Sequence, residues 1–201
     1  MIHLSCKIPN EVYLALSGGK DSMSILNFLL KGKKNVTLLY FNHGTEHGEE
    51  AQKFVEKIAE SRNIPLVFGN ISDFSSSTKK TEEVWRRERY NFFKKFNDKP
   101  IITGHHLDDA IEWWIFTSIR GNPKLIPVKR ENPNIIRPFL FSTQKELHNF
   151  FTGEFIQDPS NFDTKYSRNN IRHNLIDISR QINPGIEKTI LKLYKAQKNN
   201  D

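Results

Sequence analysis

The sequence predicts a doubly wound α/β fold with a mainly parallel sheet, followed by a helical C-terminal extension. Over the first 150 residues, short apolar runs alternate with amphipathic segments of helical period, which is typical of parallel sheets covered by helices. The first apolar run leads directly into a Gly-Gly pair and a helical segment. Polar residues follow several of the predicted strands, where ligands bind in sheets of this kind.

Each predicted element rests on its own local pattern. Short apolar or β-branched runs predict strands at residues 12–16, 36–41, 64–68, 100–103 and 135–136. Apolar residues at helical spacing predict helices at residues 22–30, 48–62, 82–96, 110–120, 143–151 and 175–195. Polar or proline-bearing stretches predict loops at residues 69–80 and 124–134. We therefore expect an α/β domain over residues 1–150 and a helical extension of the same domain over 151–201.

Composition restricts the class of protein. The 201 residues are 37% hydrophobic and 26% charged, and no apolar run approaches the roughly 18 residues that a membrane-spanning helix needs. The single cysteine, Cys6, excludes internal disulfides, all-cysteine zinc sites and cysteine-held iron–sulfur clusters on this chain alone. We expect a cytoplasmic protein without membrane contact. The net charge of +7 favours a polyanionic partner such as RNA or DNA.

The turn between the first strand and the first helix carries six candidate ligand-binding residues: Ser17, Gly18, Gly19, Lys20, Asp21 and Ser22. The glycines allow positive φ and close approach of a ligand, and the unpaired N–H groups that open the helix suit a phosphate. The carboxylate of Asp21 in such a place indicates a bound Mg²⁺. The pattern is not Walker A, which needs a longer glycine-bracketed loop. A glycine-rich turn without a ligand is the alternative.

A second polar cluster follows the fourth strand and comprises Gly104, His105, His106, Asp108 and Asp109. Two histidines and two carboxylates at a strand end are typical of a Mg²⁺ site or an acid–base cluster. A permanent zinc site is disfavoured, because adjacent residues seldom both point at one metal. Asp109 and Glu112, three residues apart, also fit a helix capping box, which is the structural alternative.

Basic and aromatic residues elsewhere extend the candidate site. Arg86 and Arg89 give the third helix a basic side, which predicts either a solvated face or contacts with phosphate. His43 and Gly69 follow the second and third strands and are expected at the same sheet edge as Ser17.

The last polar cluster spans residues 158–173 and includes Asn161, Tyr166, Arg168, Asn169 and Arg172. A turn before a terminal helix is one interpretation, since Asn and Ser cap helices well. However, Arg168 and Arg172 are four apart and lie on one helical face. Arginine binds phosphate bidentately and asparagine can recognise a base edge, so we favour a nucleotide or nucleic-acid role.

Taken in order, these motifs resemble the PP-loop ATP pyrophosphatases, and among them the N-terminal catalytic domain of the tRNA(Ile)-lysidine synthetase family. The turn at residues 17–22 marks only the superfamily. The pattern Asp-x-Ser-Asn…Tyr-x-Arg-Asn-x-x-Arg that starts at Asp158 is more specific to the family. The resemblance covers residues 10–190 and implies an adenine nucleotide alpha hydrolase-like fold with a PP-loop ATP-binding domain over residues 1–150.

The resemblance implies a two-step reaction. ATP adenylates the C2 oxygen of the wobble cytidine in a CAU-anticodon tRNA that becomes an isoleucine acceptor, and pyrophosphate leaves. The ε-amine of free lysine then attacks C2, and AMP leaves. ATP and Mg²⁺ are thus the implied cofactors, and tRNA and lysine the implied partners.

The resemblance also implies roles for residues that match its motifs. The expected ATP contacts are Ser17, Gly18, Gly19, Lys20, Asp21, Ser22, His43, Gly104 and His105. The expected Mg²⁺ ligands are Asp21 and Asp109. The expected catalytic residues are Asp21, Asp108, Asp109, Arg168 and Arg172. The expected contacts with tRNA or lysine are Arg86, Arg89, Glu112, Arg120, Asn161, Tyr166 and Asn169.

Other functions remain open at this point. Family members commonly carry further C-terminal domains that help to bind tRNA, and we expect none here because the sequence ends at Asp201. The catalytic domain alone, a homodimer or a partner would then have to bind tRNA, or the substrate has changed. A PP-loop enzyme that thiolates tRNA is one alternative, although its usual Cys-x-x-Cys pairs are absent. A small-molecule adenylating enzyme and an inactive tRNA-binding homologue are the others.

Overall fold

A six-stranded sheet forms the centre of the protein, whose computed structural model describes residues 1–71, 82–159 and 170–198. The strand order is β3-β2-β1-β4-β6-β5, and every neighbouring pair is parallel except β5 and β6. The strands are β1 Glu11–Ala15, β2 Asn35–Asn42, β3 Leu66–Asn70, β4 Ile101–Ile102, β5 Lys129–Arg130 and β6 Ile135–Ile136. The predicted doubly wound, mainly parallel sheet is confirmed.

Helices follow the strands in the predicted alternation. They are α1 Lys20–Lys31, α2 Glu46–Ser61, α3 Glu82–Phe93, α4 Leu107–Ile119, α5 Gln144–His148, α6 Ile176–Ile182 and α7 Ile186–Lys198. A 3-10 turn, Pro138–Phe141, precedes α5, and a π-helical turn, Ile171–Leu175, leads into α6. Within the predicted helix 175–195, α6 and α7 are separated by a break at Pro184, since proline disrupts a helix interior.

Several boundaries differ from the prediction. The third strand is displaced by two residues, so Gly69 lies inside β3 rather than after it. The predicted loop at 124–134 contains β5, because its basic residues pair with Ile135 and Ile136 across a short antiparallel ladder. Helix α5 is shorter than predicted and ends at His148. Most of the predicted serine-rich loop lies outside the described residues.

Each face of the sheet packs against its own helices. One face buries Leu14, Leu38 and Ile102 against α1 and α2. The opposite face buries Leu39 and Ile101 against the aromatic side of α3. Since successive strand residues point to opposite faces, the near-continuous apolar runs in β1 and β2 are what a sheet covered on both sides requires.

The C-terminal helices share a third apolar cluster with α4. Its members from α4 and from the C-terminal segment are Leu107, Ala110, Ile111, Ile115, Ile171, Ile176, Ile186, Ile190 and Tyr194. This packing brings the polar side of α6 towards the start of α4. The boundary predicted at residue 150 stays a prediction. Within the described ranges, no helix combines the length and apolar character needed to cross a bilayer.

Gly69→Ala is expected to destabilise the protein by about 1–3 kcal/mol, the usual range for an overpacked core. A Cβ at this position would lie 2.5 Å from Cδ2 of Phe92, a ring that is only 2% exposed. Phe92 is packed against Phe41 and Phe96 and has little room to move. The free energy of unfolding from denaturant titration measures the effect. Gly185→Ala is the matched control, since its Cβ would meet nothing closer than 3.4 Å; equal losses in both variants would contradict the packing argument.

Candidate functional site

The glycine turn between β1 and α1 lies at the carboxyl edge of the sheet. Gly18 has φ +80°, which a residue with a Cβ rarely adopts. The Ser22 hydroxyl donates to the Gly19 carbonyl at 2.9 Å, and the Gly19 N–H donates to Ser17 Oγ at 3.3 Å. The Ile156 N–H donates to the Gly18 carbonyl at 3.0 Å, so the segment after α5 covers the turn. The turn is therefore held in one shape by its own hydrogen bonds and by the segment that covers it.

The start of α1 has no polar side chain at its N-cap, unlike α2, α4 and α5. Thr45 and Thr143 stand at the N-caps of α2 and α5 and accept from the first turn, and the imidazole of His106 occupies the N-cap of α4. Gly19 occupies the N-cap of α1, and no side chain in the described part of the chain accepts from its first turn. An uncapped helix start with a positive partial charge is suited to an anion.

His106 connects two carboxylates that are far apart in sequence. Its Nε2 lies 3.6 Å from Asp21 Oδ2, and its Nδ1 lies 3.4 Å from Asp109 Oδ2. His106 also occupies the N-cap of α4, and its own N–H donates to Asp109 Oδ2 at 3.0 Å. The capping box therefore pairs His106 with Asp109. The predicted box of Asp109 with Glu112 was wrong, because α4 begins three residues earlier than expected.

Arg172 binds two carboxylates on the first turns of α4. Its Nη2 donates to Asp109 Oδ1 at 2.9 Å, and its Nε donates to Glu112 Oε2 at 2.8 Å. Asp109 is 8% exposed and Glu112 is 1% exposed. Buried carboxylates need such a partner. The predicted site residues Asp109, Glu112 and Arg172 thus meet in one place, with Arg172 41% exposed at the rim.

Asp108 faces a different set of groups. Its Oδ1 accepts from Arg180 Nη2, and its Oδ2 accepts from the Gln144 N–H at 2.7 Å. Arg180 also donates to Glu187 at 2.9 Å, so Asp108 ties α6 and α7 to the start of α4. The two adjacent aspartates, which the sequence could not tell apart, therefore form ion pairs with different arginines, although both lie within 4 Å of His106 Nδ1.

Three polar residues of the site were missed by the sequence analysis. His148 Nε2 lies 2.7 Å from Asp21 Oδ1, and the Gln144 side chain donates to the same oxygen at 3.1 Å. The third is Arg180. Gln144 and Arg180 line a cleft of about 120 Å³ together with His106, Asp108 and Arg172. No local pattern distinguishes His148 or Arg180 from ordinary helix-surface residues.

Charge interactions determine the ionisation of the cluster. Burial alone would lower the pKa of His106, but Asp109, Asp21 and Asp108 outweigh it and raise the pKa to about 9. The protonated Nδ1 then faces the Asp109 carboxylate at 3.4 Å, and it cannot accept from the Asp109 N–H. Burial would raise the pKa of Asp109, but His106, His105 and Arg172 lower it. The pKa of Asp21 is likewise lowered, against burial, by His106 and His148. Both aspartates are therefore ionised.

His43 and Trp85 form an aromatic wall beyond the end of β2. Their ring centroids are 5.6 Å apart. His43 Nδ1 and Trp85 Nε1 are both buried and lack a hydrogen-bond partner in the described part of the chain. Burial, with the positive charge of Arg89, lowers the pKa of His43 to about 4. The wall therefore presents one neutral imidazole nitrogen and one indole donor that no protein group satisfies among the described residues.

His43 is expected to make the protein less stable in acid. Its pKa in the folded protein is about 4 against an ordinary value of 6.5, so the unfolded chain binds the proton more tightly. Stability from this group is full above pH 6.5 and falls by up to about 1.4 kcal/mol per pH unit as the pH drops towards 4. Denaturant titrations should show a shallower acid loss for His43→Gln than for wild type. The exposed His3→Gln is the control and should keep the wild-type slope; equal slopes in all three proteins would refute the shift.

The remaining predicted site residues lie in several different parts of the structure. Gly104 and His105 form the turn between β4 and α4, and His105 Nδ1 lies 2.9 Å from Thr103 Oγ1. Lys20 Nζ lies 5.3 Å from the centroid of the Phe151 ring. Arg120 is at the far end of α4, about 18 Å from the start of that helix. Arg86 and Arg89 lie on adjacent faces of α3, with Arg86 bonded to Tyr90. Four predicted residues lie outside the described residues: Asn161, Tyr166, Arg168 and Asn169.

Comparison with known proteins agrees with this arrangement. The chain matches the PP-loop domain over residues 3–179. It is 35% identical over 203 residues to a tRNA(Ile)-lysidine synthase from Thermosipho africanus, covering 92% of this chain and 48% of the relative. The corresponding protein of Thermotoga sp. strain RQ2 is 33% identical over 92% of this chain and 49% of the relative. That of Petrotoga mobilis is 30% identical over 92% of this chain and 65% of the relative.

The matches cover most of this chain but only part of each relative. The chain spans about half the length of the first two relatives, 48% and 49%. The PP-loop match, in contrast, includes every described element from β1 to α5 and reaches into α6. The predicted resemblance to the PP-loop superfamily is confirmed: this chain belongs to the PP-loop family.

Proposed function

We propose that this chain adenylates the C2 oxygen of the wobble cytidine in a CAU-anticodon tRNA and then attaches lysine there to form lysidine. The observation that carries the proposal is the position of Asp109, Glu112 and Arg172 beside the glycine turn, at one edge of the sheet. The identity to tRNA(Ile)-lysidine synthases over 92% of the chain supports the same reaction.

The nucleotide end of the site fits ATP. The uncapped start of α1 would receive the phosphates. The His43–Trp85 wall, whose rings are tilted by 39° and carry an unsatisfied acceptor and donor, would receive the adenine ring. Adenine carries both ring acceptors and an amino donor, so it can satisfy both atoms.

Asp21 fits a Mg²⁺ ion that arrives with ATP, because Mg²⁺ usually binds one or two carboxylates together with substrate phosphates. Asp21 lies at the phosphate end, and its side chain is 35% exposed. Asp109 fits less well, because it is only 8% exposed and its charge is already paired with Arg172. Among the described residues, no cluster of three His, Cys, Asp or Glu side chains is arranged to hold a metal. Bound Mg²⁺ would supply charge compensation for the leaving pyrophosphate.

The acidic end of the site fits lysine as the nucleophile. In the first step the C2 oxygen attacks the α-phosphorus of ATP and the bond to the β-phosphate oxygen breaks, releasing pyrophosphate. In the second, the ε-nitrogen attacks C2, the C2–O bond breaks, AMP leaves and the nitrogen loses its protons. Ionised Asp109 and buried Glu112 would hold the amine and stabilise the positive charge that develops on nitrogen. Arg172, released from these carboxylates when lysine binds, would then be available to the adenylate phosphate.

The proposal also includes the setting of the reaction. Free lysine and tRNA are the co-substrates, and the cytoplasm is the expected compartment because the substrates meet there. The net charge of +7 suits a tRNA partner. A homodimer, or another polypeptide, would provide further tRNA-binding surface.

The test is incorporation of radiolabelled lysine into RNA by the purified protein with Mg·ATP and total tRNA. Label in a CAU-anticodon tRNA, with one AMP and one pyrophosphate released for each lysine, is the expected result. Pyrophosphate release that requires tRNA without any lysine incorporation would contradict the lysine step. Pyrophosphate release without tRNA would contradict the RNA substrate altogether.

A further inference from the structure

Three arginines converge on the side chain of Tyr90, on the α3 face of the sheet. The guanidinium groups of Arg86 and Arg137 donate to the Tyr90 hydroxyl at 3.3 and 3.4 Å. The guanidinium carbons of Arg86 and Arg130 lie 4.9 and 4.7 Å from the centroid of the Tyr90 ring. Tyr90 and Arg137 are buried at the base, while Arg86 and Arg130 are exposed above them. We call these four residues the arginine–tyrosine cluster.

The positive charge of this cluster is not neutralised by the protein. Across the described ranges, no carboxylate forms an ion pair with Arg86, Arg130 or Arg137. Arg137 is 2% exposed, yet its Nε has no hydrogen-bond partner in the part of the chain that the structure describes. Burial would raise the pKa of Tyr90, but the surrounding arginines lower it. The positive charges of the arginines therefore act strongly on the Tyr90 hydroxyl. Buried unpaired charge is costly, so the cluster indicates a missing anion.

The geometry favours a phosphate. Arginine presents several N–H donors in a planar fork that matches phosphate oxygens, and here three guanidinium groups surround one tyrosine side chain. Arg86 and Arg130 both lie over the Tyr90 ring, and both are exposed, Arg130 on the short strand β5. The cluster is therefore open to a large ligand. A phosphate in a polymer backbone can approach such a half-buried group without being enclosed.

The position of the cluster distinguishes RNA from ATP as the source of that phosphate. Arg137 follows β6 directly, and the glycine turn follows β1, two strands away across β4. Neighbouring strands are about 4.8 Å apart, so the two places are roughly 10 Å apart across the sheet. The Asp109–Arg172 group starts from β4, between them. A nucleotide on the β1 side and an RNA backbone on the β6 side would place the target base over the carboxylates.

We propose that Arg86, Arg130 and Arg137 bind one phosphodiester of the RNA strand, on a floor formed by Tyr90. The identity of the RNA rests on the proposed function, whereas the chemistry of the site rests on the cluster alone. The phosphodiester fixes the strand on the β6 side, so the cluster acts on RNA affinity and not on ATP affinity.

The test compares Arg86→Ala and Arg130→Ala with matched charge-removing controls. Arg87→Ala is the control for the first, since Arg87 is the next residue of α3 and bonds to Glu88 instead. Lys129→Ala is the control for the second, as an exposed cation on the same strand. The probes are a fluorescent anticodon stem-loop RNA with a CAU loop, titrated at several salt concentrations, and Mg·ATP alone.

Each arginine variant should weaken RNA binding by about tenfold or more and lower the slope of log affinity against log salt by about 0.7, the contribution of one single-stranded phosphate. The double variant should lose less than the product of the single losses, because both arginines serve the same phosphate. Mg·ATP affinity should be unchanged, and both controls should bind RNA within about threefold of wild type.

The possible results distinguish a failure of this inference from a failure of the proposed function. RNA affinity and salt slope equal to those of the controls would mean that the cluster is only a packing arrangement. Loss of Mg·ATP affinity with normal RNA affinity would assign the phosphate to ATP. RNA binding that depends on the cluster but is never followed by lysine incorporation would instead contradict the proposed function and leave the phosphodiester site standing. Lysine incorporation with arginine variants indistinguishable from their controls would contradict only the site.

Discussion

Asp109→Asn is expected to lower lysine incorporation by about three orders of magnitude, within the range found when a charge-stabilising or proton-accepting group is removed. The substitution keeps the shape of the side chain and an oxygen that can accept from the His106 N–H at the start of α4. It removes the negative charge that faces Arg172 and would face the lysine amine. The loss should therefore appear in the lysine-dependent step, and the melting temperature should also fall, because Arg172 and protonated His106 lose a buried negative partner.

The measurement is the single-turnover rate of lysine incorporation, together with a thermal melt of each protein. Asp177→Asn is the matched control, because Asp177 is on the same cleft but its side chain is 82% exposed on α6. The control should retain activity within about twofold. Full activity of Asp109→Asn at an unchanged melting temperature would rule out the assigned role.

Gly18→Ala is expected to reduce the affinity for ATP by about a hundredfold and to destabilise the protein. Alanine would have to adopt φ +80°, and its Cβ would lie 2.9 Å from Ile156 Cγ2 and 3.1 Å from the Phe54 ring. The chain must then shift either the turn or the segment that covers it. Either shift would move the N–H groups at the start of α1 away from the ATP phosphates. Equilibrium binding of ATP and denaturant titration measure the two effects separately.

Gly121→Ala is the control for Gly18→Ala, because it introduces the same backbone strain without the close contacts of the added Cβ. Gly121 has φ +75°, but a Cβ added there would meet nothing within 4 Å, and the residue lies at the far end of α4. The variant should lose about 1 kcal/mol of stability, the approximate cost of a left-handed residue with a Cβ, and keep its ATP affinity. If Gly18→Ala bound ATP as tightly as Gly121→Ala, the glycine turn would not be the phosphate site.

Local patterns were enough to predict most of the fold. Strand–helix alternation, the Gly18–Gly19 turn and the break at Pro184 depend on neighbours in sequence, and each appears in the structure. The boundaries that failed depend on tertiary contacts. β5 exists only because Lys129 and Arg130 pair with β6. The basic loop that contains these residues has no periodicity that would predict a strand.

The site was predictable only where its motifs are continuous in sequence. The Gly104–Asp109 cluster could be found because its residues are adjacent, although the expected cap of α4 was misplaced; histidine is not among the residues that usually cap helices. His148 meets Asp21 across 127 residues, and Arg180 meets Asp108 across 72. Pairs of this separation are created by the fold, and their members look like surface residues when the sequence is considered alone.

The uncapped start of α1 has a consequence for the folding equilibrium. If ATP phosphates accept from those N–H groups, the nucleotide completes the helix as Thr45 and Thr143 complete α2 and α5. The substrate is then a structural component of the native state, and the protein becomes more stable by RT ln(1 + [ATP]/Kd), about 2.7 kcal/mol at a hundredfold excess over Kd. A fall in the ATP concentration would accordingly lower the stability of the folded protein.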